Sequence, residues 1–306
     1  MLYYLRLYCI TPFAGLGGIV KMKTVIGIDV GGSTTKIVGF RREANGERVL
    51  VEPQFVRATD PLTSIYGAFG KFTLQNNLEL NDISRIMMTG AGSSFVNKPI
   101  YNLNCVPVPE FTSVGLGGLY LSGLDDAIVV SMGTGTALIH AQHRDGRYKI
   151  DYLGGTGVGG GTMMGLAKKI LGIDQVAHIE QLCESGDLGK VDLRIRDIST
   201  AHLYSGVDEN LTASNFGKLS DLANKHDIAL GIVNMVAETI AMMAIFSARA
   251  HNLTDIVLTG NLTSIAPIRE VFQGLEHNFG VRFIIPELAQ FGTVIGAALC
   301  EEEALM

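Results

Sequence analysis

The chain has 306 residues and a formal net charge of −6 at pH 7. This acidic balance, without a long basic run, argues against nucleic acid as the main partner. The four cysteines lie far apart and form no CxxC pair, which favours reduced thiols in the cytoplasm over a disulfide framework or a zinc site. The length suits two lobes of ordinary size better than one large domain.

Two apolar stretches raise the question of targeting and membrane insertion. Residues 1–21 are interrupted by Pro12 and a glycine run and have no signal-peptide cleavage site, so we predict an extension outside the fold. Residues 228–246 approach the length of a membrane span, but Asn234 and Glu238 in the middle are costly in hydrocarbon. We therefore predict a helix of the core or of a dimer interface, and no membrane partner.

The stretch from Val25 to Phe40 predicts two strands joined by a tight turn. Gly31 and Gly32 can bring backbone N–H groups close to a polyphosphate. The hydroxyls of residues 33–35 add donors, and Lys36 adds a positive charge. Asp29, at the end of the first strand, is placed to hold Mg²⁺ through a hard oxygen ligand. An ordinary Gly-Gly hairpin with a solvated aspartate remains the alternative.

The next segments complete a first lobe. A third strand is predicted over residues 48–56, a helix over 61–77, short strands over 85–89 and 105–108, and a helix over 112–122. This succession of strands and helices predicts a mixed sheet with helices on its faces.

The opening pattern then returns. Residues 127–140 again give a strand, a turn of glycine and threonine and a strand, and residues 148–153 follow as a third strand. The second turn starts at Ser131, 102 residues after Asp29. Such a repeat predicts duplicated lobes, over residues 22–124 and 125–306, each offering a phosphate-binding hairpin to a cleft between them.

A glycine-rich loop follows over residues 154–166 and leads into a helix. Its Gly155-x-Gly157-x-x-Gly160 spacing matches the dinucleotide fingerprint of dehydrogenases. That fingerprint belongs after the first strand of a βαβ unit, whereas this loop follows a β-hairpin. We therefore favour a helix N-terminus whose N–H groups receive ATP phosphates.

The last third of the chain contains a helix over residues 173–185, a polar loop over 211–218 without an assigned role, and a long apolar helix over 225–251. This long helix needs a second surface to cover it, which predicts a homodimer. A strand over residues 255–258 runs into Thr259-Gly260-Asn261, a turn of small residues suited to adenosine. A strand over 282–285 and a helix over 292–302 close the chain.

The two hairpins, the Thr259-Gly260-Asn261 turn and the closing helix resemble those of the acetate and sugar kinase, Hsp70 and actin superfamily. More narrowly, residues 23–300 resemble type II pantothenate kinases. The motifs that carry this resemblance are Gly27-Ile28-Asp29-Val30-Gly31-Gly32-Ser33, Glu110-Phe111, Met132-Gly133-Thr134-Gly135-Thr136, the loop over 154–161, and Leu211-Thr212-Ala213-Ser214-Asn215-Phe216-Gly217. The resemblance implies an α/β fold of two duplicated ribonuclease H-like lobes with a nucleotide cleft between them.

The resemblance also implies the chemistry: ATP- and Mg²⁺-dependent phosphorylation of pantothenate, the first step of coenzyme A synthesis. Glu110 inherits the role of general base, with a helix cap as its structural alternative. A solvated strand-edge lysine is the alternative for Lys36. By resemblance, ATP binding falls on Asp29, Val30, Gly31, Gly32, Ser33, Thr34, Thr35, Lys36, Thr134, Gly160, Gly161, Thr162, Met163, Met164 and Asn261.

One position departs from the family. The family usually carries an arginine two residues before the Gly-Gly loop, in the acceptor site, and here that residue is Tyr152. Lys149 is no simple replacement, because side chains alternate between the faces of a strand. Tyrosine offers one neutral hydrogen bond in place of a charged clamp, which could weaken acceptor binding by roughly 1.5–3 kcal/mol.

This departure keeps other functions open. A kinase for another small alcohol, or a nucleotide- or coenzyme A-binding regulator with little turnover, would retain the same fold. An ATPase activator of the radical dehydratase type shares the hairpins but needs cysteines for an iron–sulfur cluster, and no close cysteine set is visible in the sequence.

Overall fold

The structure is a computed structural model that describes residues 23–32, 34–43, 47–57, 60–96, 98–198 and 208–300. The predicted extension over residues 1–21 and the candidate phosphate ligand Ser33 lie outside these ranges.

The first half of the chain forms a mixed five-stranded sheet in the order β3-β2-β1-β4-β5. Its elements are β1 (Thr24–Val30), β2 (Thr35–Arg42), β3 (Arg48–Val56), α1 (Pro61–Gln75), β4 (Ile83–Thr89), β5 (Cys105–Pro107) and α2 (Glu110–Ser122). Strands β1, β2 and β3 are antiparallel neighbours, whereas β4 and β5 run parallel to β1. Helix α1 packs its apolar side on this sheet, and Asp60 caps it by accepting the N–H of Thr63 at 2.7 Å.

The second half repeats this arrangement in a sheet of order β12-β11-β6-β7-β8. Its elements are β6 (Asp126–Met132), β7 (Thr136–Arg144), β8 (Arg147–Thr156), α3 (Gly160–Leu166), α4 (Val176–Cys183), β9 (Leu193–Arg194), α5 (Ile195–Ile198), β10 (Thr212–Ser214), α6 (Lys225–Ala250), β11 (Asp255–Thr259), α7 (Ala266–Phe279), β12 (Arg282–Ile284) and α8 (Gly292–Leu299). Strands β9 and β10 form a separate two-stranded sheet.

The two sheets are related by the predicted duplication. Strand β6 starts and ends 102 residues after β1, and each of the two is flanked by an antiparallel hairpin partner and a parallel strand. The predicted fold class, two lobes of mixed sheets flanked by helices, is confirmed.

Several predicted boundaries were wrong. Helix α2 begins at Glu110, two residues before the predicted start, and α1 ends at Gln75 instead of residue 77. The helix predicted over residues 173–185 covers only Val176–Cys183, because a π-helical turn over Ala167–Leu171 ends at Gly172 in a left-handed conformation.

Helices α2 and α8 lie against each other between the two halves. Helix α2 packs on the second sheet, whereas α8 packs on the first. Their backbones touch through glycine: a Cβ on Gly117 would collide with the carbonyl oxygen of Gly292, and one on Gly296 with that of Ser113. The contact is therefore reciprocal, as expected for equivalent helices of two repeats.

Helix α6 forms the main core of the second half. Its polar residues have specific partners: Asn234 donates to Asp192 at 2.8 Å, and Glu238 accepts from Thr212 at 2.7 Å and Asn215 at 2.8 Å. The polar loop without an assigned role thus fastens to α6. This helix is also the one described helix long and apolar enough to cross a membrane, a property shared by buried core helices, and 61% of its most apolar window is buried.

Candidate functional site

The β1–β2 turn places one acidic and one basic side chain side by side. Asp29 on β1 and Lys36 on β2 are opposite residues of the antiparallel ladder, so their side chains share a face. The turn is closed by the N–H of Gly31, which donates to the carbonyl oxygen of Thr34 at 3.0 Å. Gly31 and Gly32 are exposed, as expected for backbone that a phosphate approaches.

The carboxyl group of Asp29 is difficult to ionise in the folded protein. Burial raises the pKa of its carboxyl from 3.8 to about 6, an effect that nearby Lys36 opposes and nearby Glu110 reinforces. The group is therefore poised to gain from a cation, which would replace the lost hydration of the carboxylate. Glu110 therefore acts electrostatically on the carboxyl of Asp29.

Lys36 is buried, with 8% of its surface exposed, so the alternative of a solvated lysine was wrong. Its Nζ donates to the carbonyl oxygen of Gln290 at 2.6 Å, a residue of the second half. Burial lowers the pKa of its ammonium group, and the charge of Asp29 counters this effect. The lysine thus links the first turn to the opposite half.

Other residues of the first hairpin have buried or partly exposed side chains. The side chain of Val30 belongs to the core, and Thr35 is buried and accepts a hydrogen bond from the hydroxyl of Ser64 at 2.5 Å. Thr34 is partly exposed. A cavity of about 200 Å³ adjoins the turn and is lined by Val30, Gly31, Gly32, Thr35, Pro61, Ser64, Ala91, Gly92 and Phe95.

Glu110 is held at the end of the first sheet. It is the first residue of α2, with Pro109 at the cap position, so it is not the cap itself. One turn later Ser113, fully buried, donates to the hydroxyl of Thr89 at 3.4 Å, and Thr89 is the β4 partner of Asp29. This connection fixes the base candidate relative to the acidic residue while leaving its own side chain exposed.

Gly90 and Gly260 allow the backbone to pass close to the end of a neighbouring strand. The sequence analysis did not assign this role to either glycine. Both have positive φ, +85° and +93°, and a Cβ on either would lie within about 2.5 Å of a strand-end group: Asp29 for Gly90 and the Met132 carbonyl for Gly260. A signal was available, because Thr-Gly follows an apolar strand at both places. Only glycine allows the backbone to pass this close.

The second turn is built differently. The N–H groups of Gly160 and Gly161, at the start of α3, donate to the carbonyl oxygens of Gly133 at 2.9 Å and Thr134 at 2.8 Å. Both N–H groups are therefore engaged within the protein, and the binding of ATP phosphates by Gly160 and Gly161 stays a prediction. Their bonds fix the glycine-rich loop against the turn, whose Thr134 is exposed.

The remaining predicted nucleotide residues surround this turn. Thr162 donates its hydroxyl to the carbonyl oxygen of Gly157 at 2.9 Å, and Asn261 opens a 3₁₀ turn whose Leu262 lies beside Gly160. The side chain of Met163 is buried in the core and that of Met164 packs against it, so Met163 can contact a ligand only through its backbone.

Tyr152 contacts Phe111, the residue that follows Glu110 in the chain. Its ring stacks on that of Phe111, with centroids 4.0 Å apart and planes within 2°. The predicted acceptor-site residue on the second half thus meets the segment of the predicted base on α2. The stack itself could not be foreseen from the sequence.

The local context also separates this site from two alternatives. The glycine-rich loop follows β8, an edge strand antiparallel to β7, and not the first strand of a βαβ unit as in dinucleotide-binding folds. In the described part of the chain, Cys105 and Cys183 are free thiols, and no group of three or more His, Cys, Asp or Glu side chains is arranged to hold a metal ion.

Comparison with solved structures supports the fold. The chain is similar to an activator of 2-hydroxyisocaproyl-CoA dehydratase from Clostridium difficile with bound ADPNP, with a TM-score of 0.60 and 16% identity over 90% of this chain and 93% of the other. It is also similar to a ROK family glucokinase from Streptomyces griseus in complex with glucose and AMPPNP, with a TM-score of 0.51 and 14% identity over 90% and 98%. At this identity the likeness shows the fold alone.

Sequence comparison is more specific. A family model described as Fumble matches residues 126–271. A type II pantothenate kinase from Bacillus cereus (strain G9842) is 30% identical over 251 residues, which cover 78% of this chain and 84% of the relative. With the duplicated lobes, the two phosphate-type turns and this identity over most of both chains, the chain belongs to the type II pantothenate kinase family.

Proposed function

We propose that this protein uses ATP to phosphorylate the primary hydroxyl of pantothenate, giving 4′-phosphopantothenate, the first step of coenzyme A synthesis. The observation that carries this proposal is that Glu110, in the first turn of α2, acts electrostatically on Asp29 of β1, while Ser113 of the same helix contacts Thr89, the β4 partner of Asp29. A general base and a cation ligand at one place are what phosphoryl transfer to an alcohol requires. The named relatives support the same acceptor.

The nucleotide belongs between the two turns in this proposal. The exposed glycines of the first turn and the Thr134 and Asn261 region of the second half supply polar backbone on both sides of the cleft. The ATP analogues named with the two structural neighbours support a nucleotide at this place. Gly160 and Gly161 act here by fixing the second turn rather than by donating to phosphate.

Asp29 is the residue that fits Mg²⁺. A carboxylate is the hard oxygen ligand that Mg²⁺ prefers, and the raised pKa of Asp29 reflects a negative charge that its surroundings compensate incompletely. When bound, the ion would neutralise charge on the phosphates. Lys36 remains directed to Gln290 and keeps the first turn joined to the second half.

Glu110 accepts the proton of the acceptor hydroxyl as the oxygen attacks the γ-phosphorus. Its exposed side chain is accessible to an acceptor, and the Ser113–Thr89 contact holds the first turn of α2 in place. Because most of the catalysis comes from positioning and charge neutralisation, the base supplies only part of the rate.

We place the enzyme in the cytoplasm as a homodimer that covers α6. The exposed Phe246 and the half-buried Met242 and Met243 of this helix support a second subunit on its outer side. Sedimentation that gives a monomer at micromolar concentration would contradict the dimer.

One observation favours two other functions. The protein would then be a regulator that binds a nucleotide or coenzyme A, or a kinase for another alcohol. Tyr152 supplies no positive charge for the carboxylate of pantothenate, although the rest of the site resembles that of a kinase.

The test is a coupled ATP-consumption assay with Mg²⁺, comparing pantothenate, N-acetylglucosamine and no acceptor. We expect turnover that depends on pantothenate and that falls by a factor of about 10²–10⁴ in Glu110→Gln, with ATP binding retained. Binding of ATP without turnover on any acceptor would support the regulator instead. Turnover unchanged in Glu110→Gln would remove Glu110 as the base.

A further inference from the structure

The cavity beside the first turn lies on the opposite face of the sheet from Asp29 and Lys36. These two residues are opposite each other on β1 and β2 and share one face. Val30 and Thr35 form the next pair of the same ladder, so their side chains lie on the other face, which α1 covers. Val30, Thr35 and Ser64 of α1 line the cavity. It is therefore behind the turn, and we call it the rear cavity.

Two buried hydroxyl groups form part of its wall. Thr35 and Ser64 are only 1% and 3% exposed, and the hydroxyl of Ser64 donates to that of Thr35 at 2.5 Å. Two hydroxyl groups carry two protons, and the bond between them uses one. Within the residues that the structure describes, neither hydroxyl has a second partner. Because a buried donor without an acceptor is costly, this pair would gain from an acceptor oxygen in the cavity.

The rest of the wall is apolar and uncharged. Pro61 lies at the start of α1, and Ala91 and Phe95 lie at the two ends of a 3₁₀ turn that follows β4. Phe95 is 61% exposed, so part of its ring surface is open to an incoming molecule. None of the described residues that line the cavity is charged. An ion would lose its hydration here without gaining a counter-charge, which favours an uncharged occupant.

The size of the rear cavity limits the occupant further. Its volume is about 200 Å³. A protein cavity of about 150 Å³ is large enough to bind benzene. The rear cavity therefore fits one six-membered ring with a short polar substituent.

The walls of the cavity touch the first turn directly. A Cβ on Gly92 of the 3₁₀ turn would lie 2.5 Å from Cγ1 of Val30, so this turn packs on the end of β1. Gly31 and Gly32, the exposed glycines of the first turn, also line the cavity. An occupant thus contacts from behind the backbone that phosphate would approach from the front. Two ligands that favour the same ordered turn strengthen each other's binding.

We propose that the rear cavity is an effector site for a small, uncharged ring compound that carries a carbonyl oxygen, such as an aromatic amide. The carbonyl oxygen accepts the free proton of the Thr35–Ser64 pair, and the ring packs against Pro61, Ala91 and Phe95. The occupant restricts the first turn and so strengthens the binding of a nucleotide. The binding step is independent of the proposed kinase function, whereas the coupling to nucleotide rests on it.

The experiment measures the binding of benzamide to the full-length protein by ligand-observed NMR. Benzoate has the same shape but carries a negative charge, and we expect benzamide to bind at least tenfold more tightly. ADP with Mg²⁺ should lower the Kd of benzamide at least threefold, and benzamide should lower that of ADP by the same factor. Displacement of benzamide by ADP would place the probe in the nucleotide site and overturn the proposal.

Ala91→Leu and Ser94→Leu form a matched pair of variants on the 3₁₀ turn. Ala91 lines the rear cavity and Ser94 does not. Leucine at position 91 fills the cavity and should weaken benzamide binding at least tenfold, whereas leucine at 94 should leave it unchanged. Thermal unfolding checks that both variants remain folded.

Three further results would contradict the proposal: equal binding of benzoate and benzamide, no binding of benzamide at millimolar concentration, or unchanged binding in Ala91→Leu. Simultaneous binding of ADP and benzamide without a change in either Kd would remove the coupling and with it the effector role. These measurements need no turnover, so the absence of pantothenate phosphorylation in a separate assay would contradict the proposed function and leave the benzamide site standing.

Discussion

The two halves of the molecule share one strand order but differ in the chemistry of their turns. At the end of β1 stands Asp29, opposite Lys36, whereas the equivalent position on β6 is Ser131, opposite Ala137. Gly90 and Gly260 are alike in both halves and support the same close approach of backbone. The two halves thus share the same backbone arrangement. At these equivalent positions, only the first half has charged side chains.

The turns also differ in what closes them. Each turn has an internal hydrogen bond, from the N–H of Gly31 to the carbonyl of Thr34 and from the N–H of Gly133 to the carbonyl of Gly135. The second turn also gives two of its carbonyl oxygens to the N–H groups that begin α3, whereas the first turn adjoins a cavity. The second turn is therefore braced by secondary structure, and the first is open to a ligand. This difference fits the proposed function, in which the first half carries the reacting groups and the second half holds the nucleotide.

The largest effect is expected when the two equivalent positions, Asp29 and Ser131, are substituted and compared. Asp29→Asn removes the negative charge that fits Mg²⁺, so we expect kcat to fall by about 10²-fold or more. Ser131→Ala removes a hydroxyl that carries no charge, and its kcat should stay within about threefold of the wild type. Steady-state assays of both variants at saturating MgATP measure the contrast. Equal losses of kcat in the two variants would contradict the proposed difference in role between the two halves.

A second comparison tests the reciprocal contact of α2 and α8. Gly117→Ala and Gly296→Ala each place a methyl group against the backbone of the other helix, so we expect each to lower the free energy of unfolding by about 1–3 kcal/mol. Denaturant unfolding of the two variants measures this loss. A clearly unequal loss would show that the two helices do not contribute equivalently.

Gly67→Ala serves as the control for these substitutions. Gly67 lies inside α1, and a Cβ there would meet no atom within 4 Å. Alanine should therefore raise the free energy of unfolding by about 0.5–1 kcal/mol, because it restricts the unfolded chain. A loss at this position would mean that the glycine substitutions act through something other than the close contact.

The last prediction concerns the pH dependence of stability. The pKa of Asp29 is raised from 3.8 to about 6 in the folded protein, so the folded state binds this proton more tightly than the unfolded chain does. Its contribution to stability is therefore full below about pH 4 and is lost as the pH rises through about 6. We expect Asp29→Asn, without Mg²⁺, to be more stable than the wild type at pH 8 by about 1–2 kcal/mol.

This gain is smaller than the shift alone would give, because Lys36 loses its neighbouring negative charge. Thermal unfolding in EDTA at pH 5 and pH 8 measures it, with Ser131→Ala as the control that should show no such pH dependence. The same gain at both pH values would assign the effect to packing instead of charge.

The sequence by itself determined the repeat and the positions of its chemical groups. Strands with glycine and hydroxyl residues between them recur 102 residues apart, and the succession of strands and helices along each lobe follows from local patterns of apolar residues. Asp29 and Gly31 could be singled out from their neighbours along the chain, whereas Glu110 and Tyr152 were identified only through the family resemblance. Such signals are local, because turns, caps and strand periodicity depend on residues a few positions apart.

Tertiary structure alone decided how these groups meet. The bond from Lys36 to Gln290 spans 254 positions, and the Phe111–Tyr152 stack joins segments that sequence patterns treat separately. The use of the Gly160 and Gly161 N–H groups by the second turn was equally hidden, since a glycine-rich loop has many possible acceptors. Helix ends and partners of this kind depend on packing between distant segments, and the local sequence carries no record of that packing.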